Sequence, residues 1–135
     1  MTKGVDVRPL RVGFVTPAWP GVLTPNGIAT AVSHLAAGLQ SVGHDVTIIA
    51  HRVDAPHDHP RVVLIPEARL RLVDRLRRKL DIEGWLVRSI VEQHAEAIRR
   101  AVALHGVEVV VMEETQGWVG EIRAKVSIPI VATLH

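Results

Sequence analysis

Glycine and polar residues that can do chemistry follow three apolar runs of the sequence. Asn26 and Gly27 come after "RVGFVTP", Glu113 and Glu114 directly follow "VEVVVM", and His135 ends "PIVATLH". A glycine lets the backbone approach a ligand, and the N–H groups of a following helix favour a phosphate or another anion. A carboxylate can accept hydrogen bonds from sugar hydroxyls or act as a base, and a histidine can donate to a phosphate or position a hydroxyl. These five residues are the candidate site.

Each candidate also has a structural interpretation that the residues alone leave open. Asn26 and Gly27 can form a turn and a helix cap, and their spacing matches neither a P-loop nor the G-x-G-x-x-G fingerprint. Glu113 and Glu114 can form a solvated strand end. Because adjacent side chains of an extended segment point in opposite directions, these two are not a paired acid and base. His135 can hydrogen-bond a ligand at this edge or, as the last residue, extend into the solvent.

Two further groups of residues are weaker candidates. The loop "HRVDAPHDHPR", residues 51 to 61, contains four potential metal ligands, namely His51, His57, Asp58 and His59. Its spacing would not preorganise ligands, so a polar edge loop is the favoured interpretation and no metal is assigned. Trp118 can stack on a ligand or pack in the core. The other histidines are predicted at helix surfaces or ends, without chemistry, namely His34, His44, His94 and His105.

A basic amphipathic segment spans residues 69 to 79, where cations interleave with leucines and Asp74 is the single acid. Such a helix can lie on an anionic membrane. It can equally be an ordinary surface helix with its apolar side inward. The candidate membrane contacts are Arg71, Arg75, Arg77, Arg78 and Lys79. Nucleic acid is disfavoured because the chain has no Tyr, one Phe and three Trp, which leaves few side chains for stacking.

Short apolar runs rich in Val and Ile alternate with helical patterns along the chain. Strands are predicted at residues 10–16, 46–50, 62–65, 107–112 and 128–134. Helices are predicted at 28–41, over the basic segment up to residue 80, at 85–104, and as a short helix within 117–125. The strand patterns are typical of a parallel sheet covered on both faces.

This alternation predicts an α/β fold with a doubly wound, mainly parallel five-stranded sheet in the order 3-2-1-4-5, flanked by helices. Ligands bind such sheets beyond the carboxyl ends of the strands, where the winding reverses, here between strands one and four. That rule brings the three candidate segments to one edge. Residues 51–61 are short for a parallel crossover, so strand three either pairs antiparallel or crosses by an extended loop.

Length and composition predict one domain. The chain has 135 residues with 47% hydrophobic and 22% charged, a net charge of +2 and no cysteine. The absence of cysteine excludes disulfides and thiolate catalysis and fits a reducing compartment. No apolar run approaches the roughly 18 residues that cross a bilayer, so a cytoplasmic protein is expected.

The segments "RVGFVTPAWP…PNGIATAVSHLAAGLQSVGHDVTIIAHR", "HGVEVVVMEE" and "PIVATLH" together resemble the N-terminal part of the retaining GT-B glycosyltransferases of family 4. The resemblance implies a Rossmann-like domain of an enzyme that moves a sugar from a nucleotide-sugar donor to an acceptor, without a bound metal. It implies that Asn26 and Gly27 lie beside the donor diphosphate and that His135 contacts the donor sugar or the acceptor. It also favours peripheral attachment of the basic helix to the inner face of the membrane.

The same resemblance implies a second, nucleotide-binding domain, which these 135 residues do not contain. Residues 1–135 are therefore predicted to be a single acceptor-side domain that is inactive alone. Its open sheet edge makes self-association plausible. The alternative is a stand-alone, non-catalytic α/β module that binds a partner or an anionic membrane. A flavodoxin-like or receiver domain is disfavoured, because strand one ends in "VTPAWP", which has neither an acidic cluster nor a hydroxyl-rich phosphate loop.

Overall fold

A five-stranded, all-parallel sheet forms the centre of the chain in a computed structural model. The structure describes residues 8–20, 27–53, 59, 61–66, 82–114 and 117–133, and only the backbone of 82–87. The strands are β1 (Arg11–Trp19), β2 (Asp45–Val53), β3 (Val62–Leu64), β4 (Val109–Glu113) and β5 (Ile130–Thr133). The described helices are α1 (Gly27–Ser41), α2 (Ile82–His105) and α3 (Trp118–Arg123). The basic segment with its predicted helix lies outside the described residues.

The strand order is β3-β2-β1-β4-β5, as predicted. The register places Arg11 opposite Asp45 and Val12 opposite Val109, so β1 lies between β2 and β4. The sequence left the orientation of strand three open, and β3 pairs parallel to β2 with Ile49 opposite Val63.

The helices cover both faces of the sheet because consecutive strand residues point to opposite sides. Phe14 packs in a cluster with Val32 and Ala36 of α1. Its neighbour Val15 packs with Ile98 of α2 and Ile122 of α3. Burial on both faces explains why the central strands read as continuous apolar runs rather than alternating ones.

Glycines end the two long helices where the chain must turn back into a strand. Gly43 follows α1 with φ of 95° and Gly106 follows α2 with φ of 64°. Both conformations are left-handed, which glycine adopts without steric cost. Each helix therefore ends at the glycine that its sequence pattern indicated.

The sheet ends at β5, where Val131 of the last strand is 50% exposed. Leu35 of α1 is also half exposed. Self-association through this edge stays a prediction, because no contact with a second chain tests it. Among the described helices, none is long and apolar enough to cross a bilayer.

Candidate functional site

A cavity of about 300 Å³ lies at the carboxyl ends of β1, β2 and β4, where the sequence predicted a site. The parallel register brings Thr16 of β1 opposite Ala50 of β2, one residue before His51. The residues that line the cavity come from all three strands and from α1, α2 and α3: Val15, Thr16, Pro17, Ile28, His51, His94, Met112, Glu113 and Trp118. Its volume is at the lower end of the range for small-molecule sites.

Gly27 begins α1 beside this cavity, and the next residue, Ile28, forms part of the cavity wall. Apart from its chain neighbours and the backbone of its own helix, a Cβ atom added to Gly27 would meet no atom of the described residues within 4 Å. Packing within the described chain therefore does not require glycine at this position. A ligand held against the start of α1 would require it.

Glu113 lines the cavity, whereas its neighbour Glu114 does not. The division agrees with the opposite orientation expected of adjacent residues in a strand. Both residues are half-buried, so this end of β4 is less exposed to water than a fully solvated strand end would be. The backbone N–H of Glu114 donates to Thr133 O at 3.0 Å, which fixes the ends of β4 and β5 together.

Trp118 packs in the core, which is one of the two interpretations that the sequence allowed, and stacking on a ligand stays a prediction. It opens α3 directly after Gly117, whose φ is 79°, and packs against the core cluster of the α2 face. Its remaining surface forms part of the cavity wall. An indole that is anchored in this way offers a fixed apolar face to a ligand.

The structure corrects the interpretation of two histidines. His94 is only 5% exposed and faces the sheet, whereas a helix-surface position was expected. The signal was present in the sequence, because residue 94 falls on the same face of α2 as the buried residues Val91 and Ile98. His51 belongs to β2 rather than to a loop, since this strand continues to Val53.

His51 and His94 form a hydrogen-bonded pair in the cavity wall. Their Nε2 atoms are 3.2 Å apart, and the rings meet edge to face with centroids 4.8 Å apart. The Nδ1 atom of His94 lies 2.7 Å from Ile90 O. A carbonyl oxygen only accepts, so His94 Nδ1 carries a hydrogen and His94 Nε2 carries a lone pair. His51 Nε2 must then donate to His94, which leaves the lone pair of His51 on Nδ1.

Both imidazoles of this pair are held in the neutral form. Burial, and secondarily the charge that His94 would carry, lower the pKa of His51 to about 4. Burial also lowers the pKa of His94, although the bond to Ile90 O opposes the shift. At neutral pH the pair is therefore uncharged and has a single arrangement of its hydrogens.

We expect the protein to lose stability as the pH is lowered from 6.5 towards 4. In that window the unfolded chain binds protons at His51, whose ordinary pKa is 6.5, and the folded chain does not. Stability from this group is complete above about pH 6.5. The loss should be about 1–2 kcal/mol, less than the full pKa shift implies because the side chain of His51 is exposed to water on one side.

Urea unfolding at pH 7, 6, 5 and 4.5 measures this loss for the wild type and for His51→Gln. The variant should show a shallower decline, since it lacks the titrating ring. The control is His34→Gln, on the exposed side of α1, which should follow the wild type. Parallel declines in the wild type and His51→Gln would contradict the assignment.

Several predicted residues lie outside the part of the chain that the structure describes. These are Asn26, His57, Asp58, His135 and the membrane candidates Arg71, Arg75, Arg77, Arg78 and Lys79. His59 is described and lies away from the pair, with its ring 5.4 Å from that of Trp19 and its Nε2 atom 3.1 Å from Gln40 Nε2. Within the described ranges, no three acidic or histidine side chains converge where they could hold a metal ion.

The order of the parallel strands and the site at their carboxyl edge define a Rossmann-like α/β domain. The model of Glycosyltransferase Family 4 matches residues 25–135 of this chain. The chain therefore belongs to that family. A comparison with curated protein sequences finds no match.

Solved structures share the fold at low sequence identity. Sucrose-phosphate synthase from Thermosynechococcus elongatus matches with a TM-score of 0.59 and 17% identity, over 93% of this chain and 33% of its own. A glycosyltransferase from Rickettsia africae matches with a TM-score of 0.54 and 12% identity, over 93% and 30%. The C-terminal domain of a hydrogenase from Pyrococcus furiosus matches over 97% of this chain and 98% of its own, with a TM-score of 0.50 and 15% identity. The chain thus spans about a third of the two glycosyltransferases.

Proposed function

We propose that this chain is the N-terminal, acceptor-side domain of a retaining glycosyltransferase that transfers a hexose from a nucleotide-sugar donor to an acceptor hydroxyl. The observation that carries the proposal is the cavity of about 300 Å³ at the carboxyl edge of a Family 4 fold. This edge is where doubly wound sheets bind ligands. Glu113 in its wall supplies a carboxylate that can accept hydrogen bonds from a sugar.

In this proposal the donor diphosphate lies against the start of α1, where free N–H groups and the helix dipole favour negative charge. Gly27 and its neighbour Asn26 would lie beside the phosphates, and His135 would contact the donor sugar or the acceptor. We expect no metal in the mechanism. The proposed location is cytoplasmic, with peripheral membrane contact through Arg71 to Lys79 as a further hypothesis.

A second, nucleotide-binding domain completes the enzyme in this proposal. The lengths of the two similar glycosyltransferases support it, since this chain aligns with 33% and 30% of them. Holding a donor between two domains excludes water and orients the reacting groups, and in this proposal the second domain supplies half of that enclosure. We therefore expect the 135-residue chain alone to transfer no sugar.

The test is to purify the protein from its native host and to measure its intact mass and its activity. We expect a mass on the order of 40 kDa, two domains with linkers. That protein should transfer a sugar from one of the donors UDP-glucose, GDP-mannose or ADP-glucose, with the anomeric configuration retained. Transfer by the 135-residue chain alone, or an inverted product, would contradict the proposal. A native mass equal to that of this chain would favour the non-catalytic partner-binding or membrane-binding module instead.

Gly27→Ala should separate donor binding from stability. Because the added methyl group clashes with none of the described residues, we expect the free energy of unfolding to stay equal or to rise by up to about 1 kcal/mol. The same methyl group would stand between the helix start and the diphosphate, so donor affinity in the two-domain enzyme should fall about tenfold or more.

The matched control is Gly38→Ala, on the same helix, where a Cβ atom also meets nothing within 4 Å. As an interior helix position, it should raise the free energy of unfolding by about 0.5–1 kcal/mol and leave donor affinity unchanged. Calorimetric titration with the donor and thermal unfolding give both quantities. Equal donor affinities in the two variants would argue against phosphate binding at the start of α1.

A further inference from the structure

The side chains of the cavity wall mainly offer hydrogen-bond acceptors. The hydroxyl of buried Thr16 donates to Ala18 O at 3.1 Å, so towards a ligand it can only accept. His51 offers the lone pair of Nδ1, because its Nε2 hydrogen is given to His94. Glu113 contributes carboxylate oxygens, which also accept. A ligand that complements this wall must therefore donate hydrogen bonds to it.

The described part of the cavity wall offers no positive charge to an anionic ligand. Among the described residues that line the cavity there is no Lys or Arg, and the imidazole pair is neutral. A phosphate brings acceptor oxygens, and the described side chains of the wall mainly offer acceptors in return.

The rest of the wall is apolar. Val15, Ile28 and Met112 line the cavity on several sides, and Trp118 adds an indole face and one N–H donor. A sugar or cyclitol ring combines apolar C–H faces with hydroxyl groups that donate hydrogen bonds. A volume of about 300 Å³ suits a ligand of this small size.

We propose that this cavity binds an uncharged, polyhydroxylated ring as the acceptor substrate and excludes its phosphorylated form. In this arrangement His94 is a positioning residue: by accepting the Nε2 hydrogen of His51, it keeps the Nδ1 lone pair of His51 available to one ligand hydroxyl. The inference rests on the proposed function, which requires a substrate bearing a hydroxyl, and it adds the class of that substrate.

The first measurement is the hydrogen arrangement of the pair, from the ¹⁵N shifts of the imidazole nitrogens at pH 7. We expect hydrogens on His94 Nδ1 and on His51 Nε2, and a bare Nδ1 on His51. A hydrogen found on His51 Nδ1 would overturn the proposal, because the cavity would then lose its central acceptor.

The second measurement is binding of D-glucose, D-mannose, their 6-phosphates and D-glucosamine to the 135-residue chain at millimolar concentrations, followed by the same ¹⁵N resonances. At least one uncharged sugar should shift His51 Nδ1, with its phosphate binding about tenfold more weakly or worse. Equal or tighter binding of the phosphates, binding of the amine alone, or no binding by any ring would each overturn the proposal.

Variants at position 94 separate positioning from packing. His94→Gln keeps an acceptor oxygen for His51 Nε2–H, whereas His94→Leu keeps the volume without an acceptor. We expect wild-type sugar affinity in His94→Gln and a loss of about three- to tenfold in His94→Leu. Equal losses in both variants would show a packing role only. The binding assay uses no nucleotide sugar. A failure to bind sugars would therefore contradict this inference alone, whereas a failure of the sugar-transfer test would contradict the proposed function.

Discussion

Replacing Phe14 with Ala should lower the free energy of unfolding by about 3–5 kcal/mol. Phe14 is 2% exposed and belongs to the cluster between β1, β2 and α1. Its removal would leave a void beside Val32 and Ala36, on helix α1, which the surrounding strands cannot close. Because small domains are stable by only about 5–15 kcal/mol, this loss is a large share of the total.

The comparison for Phe14→Ala is Leu35→Ala in the same layer. Leu35 lies on α1 and is 51% exposed, so its truncation should cost less than about 1 kcal/mol. Urea unfolding followed by far-UV circular dichroism measures both variants. Similar losses would mean that Phe14 is not enclosed as the fold describes.

The sheet could be predicted from the sequence because its strands and helices alternate, and few topologies satisfy that order with right-handed crossovers. The orientation of β3 could not be predicted, since residues 51–61 carry no helical pattern and the pairing of Ile49 with Val63 is a tertiary contact. Strand ends were also missed. β2 pairs with β1 as far as Val53 opposite Trp19, beyond the apolar run that ended the predicted strand at residue 50.

The edge that holds the site was predictable for the same reason, since the carboxyl ends of parallel strands share one side of a sheet. Gly27 and Glu113 lie at that edge, as expected. The histidine pair was not predicted, because His51 and His94 are 43 residues apart and meet only after α2 packs across the sheet. A polar residue on the buried stripe of a helix was the signal that should have prompted a search for its partner.

Replacing Ile98 with Ala should lower the free energy of unfolding by about 2–5 kcal/mol. Ile98 is fully buried between α2 and the sheet, in the cluster that includes Val15 and Ile122. Ile98 lies one helical turn after His94 on the same face of α2. Its packing against the sheet therefore also holds the part of α2 that carries His94.

Two variants bracket the expected loss at Ile98. Ile98→Val removes one methylene group and should cost about 0.5–1.5 kcal/mol. Leu104→Ala, on the same helix but at a position 65% exposed, should lie within about 0.5 kcal/mol of the wild type. An Ile98→Ala loss no larger than that of Leu104→Ala would contradict the packing of α2 on the sheet. It would also remove the basis for a fixed His51–His94 pair, because the ring of His94 reaches β2 only if this face of α2 is held against the strands.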